Sequence, residues 1–242
     1  MSWIKREKRT PKPNWNAIRQ VNIGFFKYNV KLNLNNLRIT LRNTLISVWE
    51  YVIPIWKISG LFKKIKSKKD LENFIQERSA HVTQTTLYGY LKTRIGVKYI
   101  AMMEDERFLK SINIAKWNIY MVALADCAFY VFSYLIVEKN LKANDCKEVF
   151  LSIIEKEKNN GLSDEIYLRA KQEFLNRYEK INFNEYHLEN PFKESCLALY
   201  SWAPIADELK TLDKEIVLNS MRLKWNLKID EFKKLTKNLN FN

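Results

Sequence analysis

The chain has 242 residues, 47% hydrophobic and 28% charged, a globular rather than a disordered composition. Gly and Pro number only five each, too few for the tight connections of a sandwich, barrel or doubly wound sheet, or for a Gly-rich phosphate loop, so an all-α fold is expected. Lys+Arg is 41 against 27 Asp+Glu, a formal charge of +14, and residues 1–69 hold 16 of the basic side chains but only two acidic ones, Glu7 and Glu50. The whole excess therefore lies before residue 70, and two regions are expected: a basic, aromatic-rich arm over 1–69 and a charge-neutral helical domain over 70–242.

Residues 1–35 read as irregular, with Pro11, Pro13 and several Asn. Residues 37–65 combine basic side chains with apolar ones near helical spacing (Leu41, Leu45, Trp49, Val52, Ile53, Trp56), divided by Pro54. They run into a lysine cluster, Lys63, Lys64, Lys66, Lys68 and Lys69. The arm is thus expected to be partly helical. From Asp70 the apolar positions Leu71, Phe74, Ile75, Val82, Leu87, Leu91 and Ile95 predict a helix stopped by Gly96. Gly89 lies inside it, at a cost of about 1 kcal/mol relative to Ala, and close approach of another helix is the expected compensation.

Glu104, Asp105 and Glu106 favour a helix N-terminus by their charge and open a long helix to about Lys139. Its stretch 119–137 is the most apolar of the chain, interrupted by Asp126. A carboxylate at that place is costly in a bilayer, so a central core helix is expected, with Asp126 buried and paired to Arg78, Lys92 or Arg222. Asp145 and Glu148 resemble a capping box for a helix that ends before Gly161, and Ser163 caps the next, to about Lys180. Asn190-Pro191 reads as the cap and first residue of a short helix. Pro204 opens a turn, and Asp213 caps a last helix to about Leu235. The sum is a compact multi-helix domain, about seven or eight helices in all, with no strand alternation and no internal repeat.

Motifs for chemistry are sparse. G-x-S-x-G, G-x-G-x-x-G, G-K-[ST] and paired Glu-x-x-His motifs are absent. His81 and His187 are the only histidines, and Cys127, Cys146 and Cys196 are widely spaced, as for buried reduced thiols. Neither a catalytic residue, a metal nor a cofactor is assigned. Residues 1–16 lack the apolar core of a secretory signal, so a cytoplasmic protein, peripheral to the inner membrane, is expected; a transit peptide is the other reading of an acid-poor N-terminus. The polar run 78–86, followed by two Tyr around a glycine and two bases one turn on, has two readings, a face for a partner or polar ligand and a tightly packed helix crossing. The residues of the candidate face are Arg78, Gln84, Tyr88, Gly89, Tyr90, Lys92 and Arg94, with Asp126.

Three blocks, ERSAHVTQTTLYGYLKTRIG from Glu77, MMEDERFLKSINIAKW from Met102 and WAPIADELKTLDKEIVLNSMRLKW from Trp202, resemble a family of alphaproteobacterial helical proteins often labelled "esterase". The likeness spans about residues 70–236. It implies a bacterial intracellular protein; the label implies a hydrolase, for which these residues supply no nucleophile elbow and no evident Ser-His-acid set.

Two classes of function follow. In the first, a non-catalytic interaction or assembly protein is tethered by its arm to an anionic membrane surface, through the lysine cluster with Trp49 and Trp56; RNA is the alternative target, and a protein partner is open. In the second, the chain is an ester hydrolase with an unfamiliar site around Asp126, Tyr88, Tyr90 and Arg94.

Overall fold

The computed structural model describes residues 65–139 and 144–237. The expected arm helices, Trp49, Trp56, Lys63 and Lys64 lie outside them. The described residues form an all-α domain of six helices, α1 (Lys68–Ile95), α2 (Glu106–Lys139), α3 (Asn144–Lys158), α4 (Asp164–Tyr178), α5 (Lys193–Trp202) and α6 (Asp207–Thr236). A 3-10 turn (Gly96–Lys98) and a single α-turn (Tyr99–Met102) join α1 to α2.

α1 begins on a complete capping box: the Ser67 side chain accepts from the Asp70 N–H, and Asp70 Oδ2 accepts from the Ser67 N–H at 3.1 Å. It ends at Gly96, whose φ of 60° is the left-handed region that glycine enters without a Cβ clash. Asp105 starts α2 by accepting from the Phe108 N–H at 2.9 Å, and Ser163 starts α4 by accepting from the Ile166 N–H at 3.4 Å.

α2 is the axis of the core. α1, α3, α4 and α5 all pack on it, and α6 packs on α1 and α5. Over residues 117–135 it is buried, and largely apolar, around its circumference, as a helix covered on all sides must be. By length and composition it is long enough to cross a bilayer, yet its most apolar window is 83% buried inside the protein. Aromatic layers tie its neighbours to it and to one another: Phe129 stacks on Phe174 at 4.9 Å, Phe174 on Phe150 at 3.8 Å, and Phe192 on Trp225 at 4.1 Å. Each such ring, fully buried, contributes about 1.5–3 kcal/mol by area and about 0.5–1.5 kcal/mol more from ring geometry.

Four expectations are corrected. Gly89 is exposed, and a Cβ there would meet nothing within 4 Å, so no helix among the described residues approaches it closely. α5 starts at Lys193 rather than at Pro191, because Asn190 takes a φ of 48° and turns the chain first. α6 starts at Asp207, so Asp213 is not a cap but a buried residue inside the helix. The expected partners of Asp126 are also replaced, as described next.

Candidate functional site

The charge boundary and the packing boundary do not coincide. Ile65 is buried in the core, and Ser67 and Lys68 belong to the first turn of α1, so the last lysines of the cluster are part of the helical body. Lys66 and Lys69 are exposed and make no ion pair among the described residues. Lys68 bridges to the start of α3, with its Nζ 3.0 Å from Asp145 and 2.5 Å from Glu148. The two carboxylates, Glu148 first, hold its pKa above the usual lysine value. Half-exposed pairs of this kind contribute little stability, but they remove one lysine charge from the outward field.

The candidate face does not gather around one point. Its hydroxyl run faces inward: Ser79, Thr83 and Thr86 are buried, and Ser79 Oγ lies 3.4 Å from the Ala123 carbonyl of α2. Small side chains there let α1 and α2 approach closely. Arg78 turns to α6, where Nε and Nη2 donate to Glu231 at 3.0 and 2.6 Å. Tyr90 donates to Asp213 Oδ2 at 3.0 Å, and Arg94 pairs with both oxygens of the same carboxylate. Lys92 and Gly89 are exposed, and Tyr88 is half-buried against the core. Three of the face residues thus clamp α6 onto α1.

Gln84 lines a separate cleft of about 150 Å³ with Thr83, Lys116, Trp117, Tyr120 and Glu157. Glu157 is buried and accepts from Gln76 Nε2 and the Tyr120 hydroxyl, each at 2.7 Å, and from Asn160 Nδ2 at 2.8 Å. Burial first, then the Glu157 charge, pushes the Tyr120 phenol well above its ordinary value, so it stays a donor to the carboxylate.

Asp126 is fully buried and paired, as expected, but with Arg177 of α4 and not with Arg78, Lys92 or Arg222. It also accepts from the Ser195 N–H at 2.7 Å and the Tyr186 hydroxyl at 3.2 Å. The Ser195 bond satisfies an orphan N–H in the first turn of α5, where a negative charge also favours the helix dipole. Burial opposes the Arg177 charge, but Asp126 and Tyr186 outweigh it and hold the guanidinium pKa above its usual value. The arrangement is saturated: it locks α2, α4 and α5 together, with no oxygen turned to a cleft.

Ser133 Oγ lies 2.8 Å from His187 Nδ1. The hydroxyl hydrogen goes to the Phe183 carbonyl at 2.6 Å, and the oxygen accepts from the His187 N–H at 3.0 Å. Ser133 is fully buried, and His187 is held below its ordinary pKa by burial. A nucleophile needs its hydrogen on the base and its oxygen open to substrate, and this serine has neither. The three thiols are buried, with burial raising Cys127 to about 12, Cys196 to about 11 and Cys146 well above the ordinary value. They are protonated and unreactive at neutral pH. Among the described residues no cluster of His, Cys, Asp and Glu could hold a metal ion.

Sequence reasoning missed Glu157, Arg177, Asp213 and Tyr186 as polar partners. Asp213 had a signal: it stands four residues before Val217 in the series Asp213, Val217, Met221, Trp225, which is the buried stripe of α6. No protein-family model, curated protein or solved structure matches the chain.

Proposed function

We propose that the chain is a non-catalytic helical interaction or assembly protein, tethered by its basic N-terminal arm to an anionic surface, with the cytoplasmic face of the inner membrane as the preferred target. The observation that carries this reading is the charge partition, with the whole excess of +14 placed before residue 70. Trp3, Trp15, Trp49 and Trp56 put four of the seven Trp in the same segment, and Trp favours the membrane interface. Each basic residue near an anionic leaflet contributes about 1 kcal/mol. Lys66 and Lys69, exposed at the start of α1, continue that field onto the folded body. The fully partnered carboxylates of Asp126 and Asp213 agree with a structural rather than a catalytic use of those residues.

Hydrolysis finds less support, since the Ser133–His187 contact is buried with its proton committed elsewhere. RNA remains the competing anionic target, because phosphate contacts and base stacking use the same side chains.

Co-sedimentation of the full chain with phosphatidylserine vesicles, phosphatidylcholine vesicles and an RNA oligonucleotide, at low and high salt, tests the reading. The expected result is salt-sensitive binding to the anionic vesicles, weakened when Lys63, Lys64, Lys66 and Lys69 become Gln and further weakened by Trp49→Ala with Trp56→Ala. Preference for RNA over vesicles redirects the arm to nucleic acid. Vesicle binding that ignores both salt and these substitutions overturns the tether.

A further inference from the structure

α6 carries two apolar faces. One is inward, where Val217, Met221, Trp225 and Phe232 are buried. The other faces solvent: Leu209, Leu212, Ile216, Leu223 and Leu227 are 41%, 77%, 69%, 64% and 62% exposed. A solvated helix face is normally polar. Here Leu209, Leu212, Ile216, Asn219 and Leu223 follow one another in alternating steps of three and four residues, the seam pattern of a paired helix. From Leu209 to Leu227 the seam runs about 27 Å at 1.5 Å per residue.

The charges beside the seam identify what it fits. On one flank, Glu208 and Glu215 lie in the N-terminal half, and Arg222 and Lys233 in the C-terminal half, all four exposed. None of the four makes an ion pair among the described residues. A parallel copy would lay the two acid-bearing halves at one level and the two base-bearing halves at the other; an antiparallel copy brings this flank against itself and sets each acid against a base. With a two-fold axis beside Asn219, Leu212 meets Leu227 of the second copy and Ile216 meets Leu223 of the second copy. The same axis brings Glu215 to Arg222 of the second copy and Glu208 to Lys233 of the second copy. The apolar and the charged pairings thus centre within about one residue, about 1.5 Å, of one axis. Asn219 is the one polar side chain within the seam, at its centre, where an amide fixes register and orientation. A self-complementary patch of this kind is what an isologous dimer requires.

We propose that α6 is the seam of a two-fold symmetric homodimer, packed antiparallel on α6 of a second copy with Asn219 at the axis. The dimer is independent of the tether and forms without vesicles.

The test is the mass of the full chain in solution, by light scattering and sedimentation equilibrium across a concentration series. A dimer is expected, with Ile216→Glu plus Leu223→Glu raising its dissociation constant about a hundredfold or more while leaving the helical circular dichroism unchanged. Glu215→Arg alone and Arg222→Glu alone each weaken it by about tenfold, and the two together restore it, which general unfolding does not do. Asn219→Cys gives a disulfide-linked dimer on mild oxidation. A monomer at all concentrations overturns the proposal, as does a dimer indifferent to the seam substitutions, a double charge reversal without rescue, or an Asn219→Cys variant that does not cross-link. Hydrogen exchange showing the seam protected in a monomer overturns it too, by assigning the face to the chain's own arm.

Discussion

Tyr90 donates its hydroxyl to Asp213 Oδ2 at 3.0 Å, and Arg94, one turn further along α1, pairs with both oxygens of the same carboxylate. Asp213 is 2% exposed, so its charge depends on these two donors. Arg94→Met leaves a buried carboxylate with one neutral donor and is expected to cost about 2–3 kcal/mol; Tyr90→Phe removes one hydrogen bond and about 1 kcal/mol. Urea denaturation measures both. A double-mutant cycle of Arg94→Met with Asp213→Asn is expected to show strong coupling, because Arg94 meets both oxygens of the Asp213 carboxylate.

Asp126 is the more demanding case. Asp126→Ala strands Arg177 and removes the acceptor of the Ser195 N–H, for an expected loss of about 3–5 kcal/mol. Asp126→Asn retains an acceptor oxygen and costs less. Thermal melts of the two variants establish the order, and equal losses would show that the charge carries the whole contribution and the neutral acceptor oxygen none.

Gly89 gives a prediction of the opposite sign. It is exposed, lies within α1, and has open space where a Cβ would stand. Gly89→Ala is therefore expected to stabilise the protein by about 1 kcal/mol, read as a rise in the urea midpoint with unchanged slope.

Stability depends on pH through His81. Burial first, then the charges of Lys228, Arg78 and Lys224, hold its pKa below the ordinary 6.5. The unfolded chain therefore binds this proton more readily than the folded one. The contribution is complete above about pH 6.5 and is lost as pH falls below it toward the folded pKa. His187, lowered first by burial, acts in the same direction. Urea midpoints taken between pH 8 and pH 5 are expected to decline, and His81→Gln is expected to flatten the curve.

Much of the architecture is legible in the sequence because local chemistry sets it. Ser67 to Asp70, Asp105, Ser163 and Gly96 mark helix ends through contacts within a few residues, and α2 announces itself by its apolar stretch 119–137. The partners are not legible. Arg177 stands 51 residues from Asp126, Asp213 stands 119 from Arg94, and only the packing of α4 and α6 against the core brings them together. Burial at Asp126 follows from its surroundings in sequence; the identity of its counter-charge does not. Gly89 misleads because glycine in a helix suggests a close crossing, whereas the crossing of α1 on α2 runs through Ser79 and Ala123. Asp213 misleads because acids favour helix starts, although its spacing to Val217, Met221 and Trp225 already places it on the inward face.

The three shielded thiols give the molecule a set of internal reporters. Cys127, Cys146 and Cys196 lie on α2, α3 and α5, each sealed by its own part of the core. An alkylating reagent reaches each sulfur only when its surroundings open, so the order of labelling by mass spectrometry would reveal which helices detach early and which part only with global collapse.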